Sequence, residues 1–336
     1  MGVDLFFVLS GYLIGSQLLR PYLKEAKPSL GQFYIRRAFR ILPAFLAVLI
    51  LYLWLPVFRE APGLSPTWQF LTFTENFRID YLHDQAFSHF WSLCVEEHFY
   101  LILPVLVLAL MRKPRFGRTL ALILGILVLG LSLRAFIYLH QLKSFQLAGD
   151  EDAFVLSYVE KIYYPTYTRL DGLLVGVTMA VIKTFRPNWW QEMMNRGRTV
   201  LGLGIVFSGF AMWLFRDRFS FAGTLAGFPL LSLGLGFLVA ASVSPTCRLS
   251  KVRGFGLIAA LAYSLYLTHK EIAHLDRLFF GAYMQAGGWV PFFIAFGTSF
   301  GAAALLYFIV ERPFLRLRER FQTGTHATAL KAAGAS

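Results

Sequence analysis

His89-Phe90-Trp91-Ser92-Leu93-Cys94-Val95-Glu96-Glu97-His98-Phe99-Tyr100 runs without a break into an apolar stretch that ends near Met111. A run of that length and apolarity reads as a membrane span, which needs about 20 residues. Yet two carboxylates and two histidines stand at its start. An ionised carboxylate at the centre of a spanning helix costs about 2.5–3.5 kcal/mol on insertion scales. A group carried at such a cost is the first candidate for chemistry.

Similar apolar blocks recur on both sides of this one. The 336-residue chain is 57% hydrophobic and 15% charged, where a soluble domain carries about 25% charged residues. The pattern predicts an all-α, polytopic helical membrane bundle of nine spans: Met1–Leu18, Leu42–Phe58, Leu93–Met111, Thr119–Leu139, Leu170–Ile182, Thr199–Phe215, Phe221–Ser242, Phe255–Ala273 and Trp289–Val310. The expected organisation is one membrane domain over 1–320 and a disordered cytoplasmic tail over 321–336, poor in apolar residues.

The formal charge of +13 follows the connections. One set carries Arg20, Lys24, Lys27, Arg36, Arg37 and Arg40, then Arg112 to Arg118, Lys183 to Arg198, Arg248 to Arg253, and Arg312 onward. The alternate set holds few basic residues. By the positive-inside rule the first set, and the C-terminus, face the cytoplasm. Basicity here reports topology and gives no support to a nucleic-acid partner. The same topology separates Cys94 from Cys247, which excludes a disulfide between them. No Cys/His cluster has metal-ligand spacing, so no metal is expected.

Nine spans would put the termini on opposite faces, with Met1 opening directly into a span. An additional helix upstream would return both ends to the cytoplasm, and the expectation is a chain lacking its first helix.

Several segments in order resemble acyltransferase family 3, bacterial membrane enzymes that O-acylate exported or lipid-linked acceptors. They are Gly2 to Ile14; Phe33-Tyr34-Ile35-Arg36-Arg37-Ala38-Phe39-Arg40-Ile41-Leu42-Pro43; the opening Trp91-Ser92-Leu93-Cys94-Val95-Glu96; Arg169-Leu170-Asp171-Gly172; Tyr263-Ser264-Leu265-Tyr266-Leu267-Thr268-His269; and Glu311-Arg312-Pro313-Phe314. The resemblance implies ten spans, the first bearing an essential His that cannot be placed here. It implies a bacterial cytoplasmic membrane location. It also implies acyl-coenzyme A, in the simplest case acetyl-coenzyme A, as donor substrate with no permanently bound cofactor. The acceptor would be a saccharide or a lipid-linked molecule, and membrane lipids surround the chain.

On a helix, Arg37 and Arg40 are i,i+3 neighbours, and paired guanidinium forks suit phosphate. With Arg36 they are candidates for the donor's phosphorylated end, or serve as positive-inside anchors. Glu96 matches the family's carboxylate position. It is a candidate proton acceptor, with Tyr100 at i+4 on the same face, or else one half of a buried ion pair with Arg134 or Arg169. His89 is placed to act on an acceptor hydroxyl or to sit in a hydrated loop. His269 is a catalytic candidate within a span, or a histidine hydrogen-bonded into the bundle. His83, His98, His140, His274 and His326 read as structural or solvated. Arg169 and Asp171 read as architecture, and Asp4 stays open.

Tyr163-Tyr164-Pro165-Thr166-Tyr167 reads as an interfacial aromatic belt or as part of acceptor binding. Ser10-Gly11 and Gly15-Ser16 read as close-packing positions. The functional alternatives are a transporter or flippase of a lipid-linked sugar or small molecule, against which the lack of related halves argues, and an inactive truncated homologue.

Overall fold

The computed structural model describes residues 1–112, 114–247, 255–285 and 288–320. The expected tail, 321–336, lies outside the described residues. The main helices are α1 (Gly2–Leu19), α2 (Leu30–Trp54), α3 (Trp91–Leu110), α4 (Phe116–Ile137), α5 (Glu151–Tyr158), α6 (Asp171–Phe185), α7 (Pro187–Asn195), α8 (Gly197–Leu214), α9 (Phe228–Val243), α10 (Phe255–Phe279) and α11 (Val290–Leu306). Among the described residues there is no strand, only an isolated bridge between Leu64 and Ala86.

Seven helical stretches, those containing α1, α2, α3, α4, α8, α9 and α11, are long and apolar enough to cross a membrane. The chain is an all-α polytopic membrane protein. The other two expected spans are also helices, but each departs from the simple pattern. Helix α6 has 15 residues, short of the usual 20 or so. Helix α10 has 25, but Thr268-His269-Lys270-Glu271 interrupts its apolar run.

The chain divides into two compact units interleaved in sequence. The first comprises Met1–Pro28, Ser65–Asp84 and Ser88–Val252. In it α1 lies along α6, and α8 along α9. The α1–α6 approach depends on glycine. A methyl group at Gly11 would overlap the backbone carbonyl of Leu173, and one at Gly176 would overlap that of Val8. Gly15 faces the Ala180 side chain less tightly, a Cβ there coming within 2.9 Å of it, so the small residues of α1 close the helix contact by dispersion. Cys94 and Cys247, both in this unit, are buried and free.

At the end of this unit where α1 begins and α4 ends, the chain builds a compact aromatic layer rather than a loose loop. Asp150 caps α5, its carboxylate accepting from the Ala153 amide at 3.0 Å. Glu151 and Asp152 occupy the first turn, where the helix dipole favours negative charge. The layer's core is Ile137, Tyr138, Leu142, Phe154, Tyr158 and Ile162. Residues 75–84 are tied to it: Asn76 donates to the Tyr164 carbonyl and to Thr166 Oγ1, and the Tyr81 amide donates to Glu160 at 2.9 Å.

The second unit comprises Ser29–Leu64, Gln85–Phe87 and the described part of Arg253–Ser336. Ser29 caps α2 by accepting from the Gln32 amide. Because α2 begins at Leu30 rather than at the expected Leu42, all three candidate arginines lie on the helix. Tyr263 of α10 donates to the Ile41 carbonyl of α2 at 2.9 Å. Thr298 of α11 donates to Asp276 of α10 at 2.8 Å. After α11 a π-helical turn, Tyr307–Glu311, presents Glu311 to Ser264, which donates to it at 2.9 Å.

Candidate active site

Helix α3 carries the first unit's candidates. It is entered through a tight turn, Ser88–Phe90, and every residue from Ser88 to Glu96 is buried. Trp91 anchors the entry. It meets Phe7 edge-on at 6.1 Å and stacks on Tyr164 at 5.2 Å. These contacts hold His89 at 6% exposure and Glu96 at 1%, so His89 is not in a hydrated loop. The two residues are seven apart on one continuous helical stretch, about 10 Å along its axis. One turn past Glu96, Tyr100 donates to Ser10 of α1 at 3.0 Å. Glu96 therefore stands on the side of α3 that meets α1.

Around them four buried charges are matched. Arg169 donates to Asp4 at 2.8 Å and packs against the rings of Tyr163 (4.9 Å) and Phe228 (3.9 Å). Arg134 bonds to Asp171 and also donates through Nε to the Thr168 carbonyl at 2.7 Å. The salt bridges of Arg134 and Arg169 thus run to Asp171 and Asp4. Arg169 and Asp171, expected as architecture, fasten α1 and α4 to the start of α6. Asp4, left open by the sequence, joins them.

His98 is held by Thr166 at 2.8 Å and stacks on Phe77 at 5.0 Å. In the aromatic layer, burial pushes the phenols of Tyr158 and Tyr164 above their ordinary range. Both therefore remain neutral hydrogen-bonding groups at physiological pH.

The second unit holds Arg36, Arg37, Arg40 and His269. Arg36 folds back on its own helix, donating to the Gln32 carbonyl at 3.1 Å. Arg37 covers the Phe33 ring at 5.9 Å. Arg40 is exposed and lies within electrostatic reach of Glu311. His269 is exposed, with Nδ1 2.7 Å from the Tyr266 carbonyl. That contact orients Nδ1 as the donor and leaves Nε2 as the basic nitrogen of the neutral ring.

Sequence reasoning missed Glu271. It is 3% exposed, and neither carboxylate oxygen has a hydrogen-bond partner. Its surroundings are polar: Tyr52 donates to Glu60 at 2.8 Å, and Lys270 stands 3.6 Å from Glu60. The signal is present in the sequence as an acidic residue inside a span.

The profile of the family described as an acyltransferase domain, acyltransferase family 3, matches residues 1–308. The chain belongs to that family. Among curated relatives, the O-acetyltransferase OatA of Staphylococcus aureus (strain NCTC 8325 / PS 47) is 31% identical over 301 residues, which are 81% of this chain and 45% of that protein. A putative O-acetyltransferase of Staphylococcus aureus (strain COL) is 25% identical over 340 residues, covering 94% of this chain and 52% of its own length. The chain spans about half the length of the curated relatives it matches. No solved structure matches it.

Proposed function

We propose that this protein is a membrane O-acyltransferase. It moves an acyl group, most simply acetyl, from acyl-coenzyme A to a hydroxyl of an exported or lipid-linked acceptor such as a cell-surface saccharide. It does so in the bacterial cytoplasmic membrane with its C-terminus in the cytoplasm. Membership of the acyltransferase family and the names of its O-acetyltransferase relatives support the reaction class. The structural observation that carries the reading is Glu96. A carboxylate 1% exposed in a membrane helix, within the segment that bears the family resemblance, is a group retained against its solvation cost.

In this mechanism the acceptor oxygen attacks the thioester carbonyl carbon while its proton passes to a base, the role assigned to Glu96. The C–O ester bond forms and the C–S bond breaks. Sulfur leaves as the thiolate of coenzyme A and takes up a proton. Arg37 and Arg40, successive on one face of α2, bind the donor's phosphates, with Arg36 beside them. On α10, His269 is assigned as a further catalytic group through Nε2, and on α3 His89, two turns from Glu96, is assigned to the acceptor side.

The test uses membranes containing the protein and labelled acetyl-coenzyme A. Wild type consumes donor in an acceptor-dependent manner. Glu96→Gln retains donor affinity but loses transfer by about 100-fold or more, as expected for removal of a general base. The double variant Arg37→Ala/Arg40→Ala loses donor affinity. Unchanged donor affinity in that double variant, or full transfer by Glu96→Gln, overturns the corresponding assignment.

A further inference from the structure

Three cavities in the first unit differ in what lines them. One, of about 120 Å³, is walled by aliphatic side chains such as Leu106, Val107, Ile123 and Ile126. A second, of about 250 Å³, is similar, with Leu124, Leu127 and Leu233. Both suit hydrocarbon. The third is about 490 Å³ and lies at the end of the unit where α1 begins. Its lining includes Tyr81, Tyr158, Tyr163, Phe219, Phe228 and Arg218.

That lining is built from five separate stretches of chain, several of them tied together. The Tyr81 amide is fixed to Glu160. Tyr158 and Phe219 meet edge-on at 5.1 Å, and the Tyr138 hydroxyl donates to the Phe219 carbonyl at 2.9 Å. The Phe228 ring is backed by the Arg169 guanidinium at 3.9 Å. The volume falls within the roughly 300–1,000 Å³ of small-molecule sites. Rigid aromatic faces alternating with phenol and guanidinium donors suit a ligand that is both flat-faced and polar.

A hydrocarbon tail would leave the Tyr and Arg groups unmatched. A cation, the usual guest of an aromatic cage, would find the lining carboxylate of Asp4 already paired with Arg169, and would be repelled by Arg218. A sugar ring meets both requirements, since its C–H face packs on aromatic carbon while its hydroxyls bond to phenol and guanidinium groups.

We propose that this cavity is the acceptor site and that it takes a saccharide ring packed against Phe219, to which Tyr158 stands edge-on, with Arg218, whose guanidinium lies 4.8 Å over that ring, bonding its substituents. The inference rests on the acyltransferase reading for the word acceptor but not for the binding itself. In that reading the site's end of the unit is the one where the basic residues are sparse.

The experiment uses full-length protein in membranes and three photoreactive disaccharides, built on a neutral hexose, an N-acetylhexosamine and a uronic acid, without donor. At least one should label peptides from residues 154–163 and 212–231, with competition by the unmodified sugar. Phe219→Ala should weaken labelling about tenfold. Arg218→Ala, at an exposed position, removes the guanidinium that lies 4.8 Å over Phe219 and should weaken it severalfold. Where transfer is measurable, both variants should raise acceptor KM and leave donor KM unchanged. Labelling by none of the three, labelling confined to other peptides, or wild-type labelling of Arg218→Ala overturns the proposal. Labelling here without any acyl transfer would sink the enzyme reading and leave the site standing. Transfer with wild-type acceptor KM in both variants would do the reverse.

Discussion

Two regions of the molecule, one in each unit, hold buried charge in different ways. In the first, Asp4, Arg134, Arg169 and Asp171 are all nearly inaccessible, and each is joined to a partner of opposite sign. In the second, Glu271 is as deeply buried but neither of its oxygens is hydrogen-bonded. A matched pair returns part of its desolvation cost as fixed helix geometry, whereas an unmatched carboxylate returns none. Those four charges of the first unit are therefore fasteners. Glu271 marks a position where something other than packing sustains the residue.

The largest expected effect breaks a fastener. Arg134→Ala strands Asp171 and leaves the Thr168 carbonyl without its guanidinium donor, and it should destabilise the protein by about 3–5 kcal/mol. Thermal unfolding of the purified protein in detergent measures this. The contrasting substitution, Glu271→Met, removes an unmatched charge at similar volume and should leave the melting temperature unchanged or raised. Equal losses in the two variants would erase the distinction between the units.

How far the sequence foretold this arrangement depended on the range of the interaction. Apolar runs located α1, α3, α4, α8, α9 and α11 to within a few residues, because burial in lipid is read one segment at a time. Arg169 and Asp171 were legible as architectural residues at a helix start. Their partners were not, since Asp4 and Arg169 lie 165 positions apart and nothing local encodes that pairing. The ion pair considered for Glu96 went instead to Asp171 and Asp4 for the same reason. Helix α5 is signalled locally by Asp150 followed by Glu151 and Asp152, a helix-start pattern, but it is too short and too polar to show as an apolar run.

A middle-sized effect tests the packing that lets the first unit's fasteners meet. In α1 a Cβ at Gly11 would run into the Leu173 backbone, which cannot move aside as a side chain would. Gly11→Ala should therefore cost about 1–3 kcal/mol, the range for overpacking, despite alanine's better helix propensity. Gly2→Ala on the same helix meets nothing and should be neutral or slightly stabilising. If both variants melt alike, the close α1–α6 approach is not a determinant of this unit's stability.

The smallest effect separates the aromatic layer from the spans beneath it. Asp150→Ala removes the α5 cap and should cost about 1 kcal/mol. The loss should fall on α5 and the Tyr158–Phe219 contact rather than on α1 or α6, because the cap supports only the helix it begins. Hydrogen exchange resolves the two cases. Faster exchange confined to residues 151–163 would mark the layer as a separate cooperative element, able to adjust to an occupant of its cavity while the ion-paired helices below stay fixed. Uniform acceleration through α1 and α6 would mean that layer and bundle open together, and that the cavity is as rigid as the fasteners.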